Sequence, residues 1–167
     1  MRFHEQQRFR QPWLWGLLLS VSLPVIFALG YGIYRQLILG RPFGTKPTSD
    51  PVLAVVVIVT LLILAAAVVM MAMARLDVAV TDGEVVIFFP PFHRQGRRIP
   101  LSEIAEARAR TYSPLIEYGG WGIRYGFQGM AYNVSGNEGV QLVLTNGKRI
   151  LIGSQRSKDL EKAITGR

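Results

Sequence analysis

Residues 52–74, Val52 to Ala74, run for 23 positions without a charge, a glycine or a proline. Coiled as a helix at about 1.5 Å per residue they extend roughly 34 Å, enough to cross a hydrocarbon core of about 30 Å. Arg75 and Asp77 end the run abruptly, and a different pattern follows. A second uncharged stretch, Trp13 to Tyr34, lies upstream, with Trp13 and Trp15 at one end and Tyr31 and Tyr34 at the other. Amphipathic rings favour both membrane interfaces, so this bracketing also reads as a span. Pro24 sits mid-stretch and predicts a kink, tolerable where neighbouring groups satisfy the freed carbonyl. A basic lead, an apolar run and Ala28-Leu29-Gly30 also fit a cleaved signal peptide, but the run continues past that point to Tyr34.

Two spans joined by residues 35–51, where Gly40, Pro42, Gly44, Pro47, Ser49 and Pro51 break any element, predict a helical hairpin with both chain ends on one side. Arg2, Arg8 and Arg10 in the lead, residues 1–12, and Arg75, Arg94, Arg97 and Arg98 after the second span face Arg35, Arg41 and Lys46 in the link. That asymmetry favours both ends in the cytoplasm. The division is then a basic lead at 1–12, spans at 13–34 and 52–74, a connection at 35–51 and a soluble unit at 75–167.

From Leu76 the apolar period becomes two. Leu76, Val78 and Val80 alternate with smaller or polar residues, Asp82-Gly83 offers a tight turn, and Glu84 to Phe89 returns as a second strand ended by Pro90 and Pro91. Arg97 to Pro100 reads as a third strand. Ile104 to Tyr112 reads as a fourth, although its alanines also suit a helix. Glycines punctuate aromatics from Glu117 to Gly139, as in short curved strands. Gly139 to Thr145 and Lys148 to Gly153 flank Asn146-Gly147, a match to a type I′ turn. Leu160, Ala163 and Ile164 share one face of a final helix with Ser154 or Ser157 as its cap. The unit reads as about seven strands and one C-terminal helix.

Three places carry a resemblance: I-P-L-S-E-I at Ile99–Ile104, G-W-G-I-R at Gly120–Arg124, and L-x-x-G-K-x-I-L-I-G-S ending at Ser154. With the order of elements they resemble the bacterial PH-like domains of small prokaryotic membrane proteins with two spans. The resemblance covers roughly residues 75–165. It implies an α+β membrane protein, with a two-helix transmembrane hairpin followed by a bent PH-like sheet and a C-terminal helix. It brings no catalytic residues and no cofactor, and headgroup chemistry does not follow from fold resemblance.

Function is bounded mostly by what is missing. There is no cysteine, which removes disulfides, thiolate metal sites and cysteine nucleophiles together, and His4 and His93 stand far apart. Glu103, Glu117, Glu138 and Asp159 show no paired spacing for acid–base work, and the glycines from 129 to 139 lack the lysine and helix of a phosphate loop. The net charge of +8 is shared equally by residues 1–74 and 75–167, and for a membrane protein the nearest polyanion is the headgroup layer rather than nucleic acid. Asn133-Val134-Ser135 fits a glycosylation sequon that matters only for an extracytoplasmic eukaryotic domain.

Two groups of residues stand out. Phe92, His93, Arg94, Arg97 and Arg98 lie on a loop that the returning strand carries back toward the bilayer, suiting them to anionic headgroups or leaving them merely solvated. Trp121, Arg124 and Tyr125 belong to an aromatic cluster with Tyr112, Tyr118, Phe127 and Tyr132 that is either a partner face or core. The expected function is a non-enzymatic, membrane-anchored interaction or assembly module for a protein partner. An anionic-lipid sensor is the alternative, and a membrane enzyme is a third reading. No metal or cofactor is expected.

Overall fold

The computed structural model describes residues 1–45 and 47–166. Lys46, counted above among the link cations, and Arg167 lie outside them. The chain divides into two compact units, residues 10–72 and the rest, in which residues 1–9 join the chain from Met73 onward.

The first unit holds α1 (Pro12–Ile33), a turn of π-helix at Tyr34–Ile38, and α2 (Asp50–Met73). Both helices are long and apolar enough to cross a membrane, and their side chains are mostly exposed. Pro12 opens α1, where its missing N–H is not needed. The helix runs on through Pro24. In the link, Phe43 folds back so closely that a Cβ on Gly32 would stand 2.9 Å from its ring. Gln36 Nε2 donates to the Thr48 carbonyl at 2.7 Å and to Asp50 at the start of α2 at 2.8 Å.

The second unit contains two sheets and two helices. One sheet has four antiparallel strands in sequential order: β1 (Phe3–Arg8), β2 (Arg75–Val80), β3 (Glu84–Phe88) and β4 (Arg97–Pro100). The basic lead drawn at residues 1–12 is thus corrected, because Phe3–Arg8 is an edge strand of the second unit. β1 pairs with β2 along its whole length, from Phe3 opposite Val80 to Arg8 opposite Arg75. Two polar side chains bind it further. Buried Gln7 donates to the Gly153 carbonyl at 2.9 Å, and Glu5 accepts from the Ser154 hydroxyl and, at 2.9 Å, from the Gln155 N–H.

The other sheet has the order β5-β8-β9-β7-β6. Its members are β5 (Ile104–Thr111), β6 (Gly122–Gly126), β7 (Gly129–Asn133), β8 (Glu138–Leu144) and β9 (Arg149–Gly153). β5, β8 and β9 form an antiparallel meander. The segment between β5 and β8 builds the short helix α3 (Pro114–Tyr118) and the β6–β7 hairpin, whose β7 adds in parallel to β9. Among the described residues from 75 onward the strands are eight, where about seven were expected, β1 makes a ninth, and α3 follows β5 where no helix was expected.

Leu76, Val78 and Val80 of β2, Val85 and Ile87 of β3 and Val140, Leu142, Ile150 and Ile152 of the second sheet form one core with Leu160 and Ile164 of α4 (Ser157–Thr165). Arg156, not a serine, precedes α4, and neither expected serine caps it. Ser157 Oγ donates to Glu138, and Ser154 Oγ accepts from the Arg156 N–H. The β8–β9 turn is also not type I′. Gly147 alone is left-handed, at φ +79°, and its N–H donates to the Leu144 carbonyl at 2.8 Å. That is the three-residue loop in which a glycine bulge follows a type I turn.

Candidate functional site

The outer face of the five-stranded sheet is covered on one side by α3. Tyr118 from that helix packs with Tyr112, Ala131 and Leu151 in a small second core. Beneath it Asn133 is wholly buried and bonded at both ends of its amide: Nδ2 donates to the Tyr112 hydroxyl at 3.0 Å, and Oδ1 accepts from the Gly122 N–H at 2.9 Å. The sequon asparagine is therefore a structural residue. Arg110 Nη2 donates to Glu117 at 2.7 Å, to Gln141 at 3.1 Å and to the Tyr118 hydroxyl at 3.3 Å, clamping α3 to β5 and β8. This arginine, with the Ser113 N–H, holds the Glu117 carboxyl below its ordinary range, against the smaller opposing effect of burial. Burial by itself would lower Arg110, but Glu117 and Tyr118 together more than offset it and the guanidinium is raised. The Tyr112 and Tyr118 hydroxyls are pushed up by burial.

Beyond α3 the same face opens into a cleft of about 290 Å³. Every second residue of β5, Glu106, Arg108 and Arg110, forms one wall, Gln141 and Val143 of β8 the floor, and Arg149 with Gln128 the other wall. Strand alternation puts these residues on one face, since i and i+2 point the same way. Arg149 Nη1 donates to Gln128 at 3.0 Å, and Arg108 is exposed. Arg110 is neutralised by Glu117, so the cleft's charge rests on Arg108 and Arg149 against Glu106, an excess of one positive charge suited to a negative partner. Sequence reasoning missed it because its cations come from strands about forty residues apart, each reading as an ordinary solvated residue.

The expected basic loop is differently built. Arg97 and Arg98 are consecutive on β4 and leave on opposite faces. Arg97 turns inward, donating to the Tyr132 hydroxyl at 3.1 Å and to the Met130 sulfur at 3.2 Å, while Arg98 pairs with Glu84 across the strands. Arg94 and Phe92 are exposed. His93 packs edge-on to Tyr132 with ring centroids 5.6 Å apart, and its Nδ1 is buried without a partner among the described residues. The three arginines do not converge.

The aromatic cluster divides. Tyr112, Tyr118 and Tyr132 are buried, whereas Tyr125 and Phe127 are exposed on the β6–β7 hairpin. Trp121 Nε1 donates to the Gly136 carbonyl at 3.1 Å, and Arg124 Nε donates to the Trp121 carbonyl at 2.9 Å, so Trp121 and Arg124 brace the entry to β6. Glycine allowed this mixture: Gly120 and Gly122 are left-handed and reset which face the next ring takes. Among the described residues no three His, Asp or Glu side chains gather as metal ligands. Comparison of the chain with protein-family models, with curated proteins and with solved structures finds no match.

Proposed function

We propose that the chain is a membrane-anchored, non-enzymatic interaction or assembly module, its PH-like unit and both termini on the cytoplasmic side of a prokaryotic plasma membrane. The pairing of β1 with β2 carries this reading. Two strands of one sheet flank the two long apolar helices, so a chain that crosses a bilayer between them must cross it an even number of times. It also speaks against a cleaved signal peptide, since cleavage would remove β1. The arginines of the lead and of the region after α2 favour the cytoplasmic side. Reporters fused to each end should both register as cytoplasmic; one end on either side of the membrane would sink the reading.

A PH-like unit is supported by the four-stranded sheet, the β5-β8-β9 meander and the closing helix α4. On that reading the fold carries two insertions, the membrane hairpin between β1 and β2 and the α3–β6–β7 segment between β5 and β8. The cleft walled by Arg108 and Arg149 is its partner surface, suited to an acidic protein segment. A photocrosslinking residue at Val143 in native membranes should give one discrete adduct, lost when Arg108→Glu and Arg149→Glu reverse the walls. An adduct indifferent to that reversal would mean the cleft is not the surface used. The lipid-sensing alternative draws on exposed Arg94, but Arg97 and Arg98 depart on opposite faces and cannot grip one headgroup together.

A further inference from the structure

We propose that two copies of this chain join edge to edge through β5, antiparallel and centred on Ala107, so that their five-stranded sheets run on as one. β5 ends its sheet, with β8 on one side and no strand on the other among the described residues. The ladder fixes where its backbone groups point. The Tyr112 N–H donates to the Asn137 carbonyl at 2.8 Å, in the register that sets Arg110 opposite Gly139, Arg108 opposite Gln141 and Glu106 opposite Val143. Bonded pairs alternate with unbonded ones in an antiparallel ladder, so Glu106, Arg108 and Arg110 direct their N–H and carbonyl groups at β8. Those of Ala107, Ala109 and Thr111 point away from it. On the far side of β8 the Ser154 N–H donates to the Glu138 carbonyl at 3.1 Å, which requires the same alternation.

A row of outward N–H and carbonyl groups is a template for another strand, and proteins blunt such edges by keeping them short, placing proline there or covering them. The other sheet ends are blunted in this way. β4 has four residues and finishes on Pro100. β6 has α3 alongside, so close that a Cβ on Gly126 would meet the Glu117 carbonyl at 2.1 Å. β1 is tied through Glu5 and Gln7 to residues 153–155. β5 is different. It is eight residues long, contains no proline, glycine or lysine, and its bulge, between Ile104 and Glu106, lies at its start.

Charge identifies the occupant as a second copy. A symmetric antiparallel pair must set outward groups against outward groups, which leaves only a few registers. Centred on Ala107, the two alanines exchange their N–H and carbonyl groups, and Glu106 falls opposite Arg108 of the second copy, twice by symmetry. Centred on Glu106, two glutamates meet; centred on Arg108, that arginine meets itself; centred on Ala109, Arg108 meets Arg110 twice. Opposite charges directly across a ladder stabilise it and like charges do the reverse. Glu106 and Arg108 are both exposed and share the outer face of the sheet, so nothing within the copy holds them away from such a pairing. On the inner face the residues at the join are Ala107 and Ala109, packed against the core that includes Leu160, and they add little bulk there. A self-complementary contact of this kind closes as a dimer and leaves no free β5 edge to propagate. It also lays two clefts side by side, each with its excess positive charge.

The test takes the full chain in detergent, with its mass followed by sedimentation, and compares Glu106→Arg, Arg108→Glu and the two together. The proposal expects a dimer that each single reversal weakens by about tenfold or more, since two attractive pairs turn repulsive at once, and that the double reversal restores. Restoration also separates lost pairing from lost folding. The chain has no cysteine, so the register can be read by mixing Glu106→Cys chains with Arg108→Cys chains and oxidising them. Directly opposite Cα atoms of an unbonded pair stand about 4.5 Å apart, within disulfide reach, so unlike chains should crosslink several-fold faster than like ones. A monomeric native chain overturns the proposal. So does a dimer indifferent to both single reversals, which would be held elsewhere, or one that the double reversal fails to restore. Crosslinking that favours like chains overturns the register centred on Ala107 and the proposal with it.

Discussion

Glu117 is the residue on which the α3 clamp depends. Its carboxylate is favoured in the folded protein by Arg110 and the Ser113 N–H, so its folded pKa lies below the ordinary one. Its contribution to stability is therefore present above the ordinary carboxylate range and is lost as pH falls through the depressed value. Thermal melts should show a stability loss in acid that Glu117→Gln removes, at a cost of about 1–2 kcal/mol at neutral pH. Gly126 tests the same clamp sterically. A methyl group there would run into the Glu117 carbonyl, a backbone atom that cannot swing aside. Gly126→Ala should destabilise the unit by about 2 kcal/mol or more, measured by denaturant unfolding, whereas Gly83→Ala in the open β2–β3 turn should be nearly neutral.

Among the elements, β1 changes what can be cut away. Residues 75–167 alone would lack Phe3 and would leave β2, with Leu76, Val78 and Val80, as an unprotected edge. That fragment should aggregate. A chain in which residues 10–72 are replaced by a short Asn-Gly turn should instead give a soluble, mostly β circular dichroism spectrum. The β2–β3 and β8–β9 hairpins and the long helices were legible, because alternation and uncharged length are local signals. β1 was not, because Phe-His-Glu-Gln-Gln-Arg buries only Phe3 and Gln7 and reads as a polar lead. Its partner lies beyond two helices, and no local pattern reports a pairing at that distance. The arginine cleft was not legible for the same reason, its cations lying on strands about forty residues apart, and in the aromatic cluster, read as partner face or core, glycines between the rings hid which of them faced inward.

For the whole molecule, the proposed anchor and the exposed cations of the Pro90–Arg98 loop make different demands on salt. The full chain should stay in membranes through high salt and alkaline carbonate, since two apolar spans do not depend on charge. The anchor-free chain should bind anionic vesicles weakly and lose that binding in salt. Arg94→Ser, removing roughly 1 kcal/mol of surface attraction, should reduce its partition about fivefold. The pairing of β1 with β2 also sets an order of events during synthesis. β1 is made first and its partner only after both apolar helices have followed. In a free chain, bringing Arg8 to Arg75 would cost roughly 4 kcal/mol of loop-closure entropy. A helical hairpin already seated in the bilayer returns the chain close to where it left and removes most of that cost. On the membrane-anchored reading the first strand waits, unpaired, until the bilayer has taken the helices, and insertion becomes a precondition for closing the sheet. A chain whose hairpin fails to insert would be left with an open edge for proteases to find.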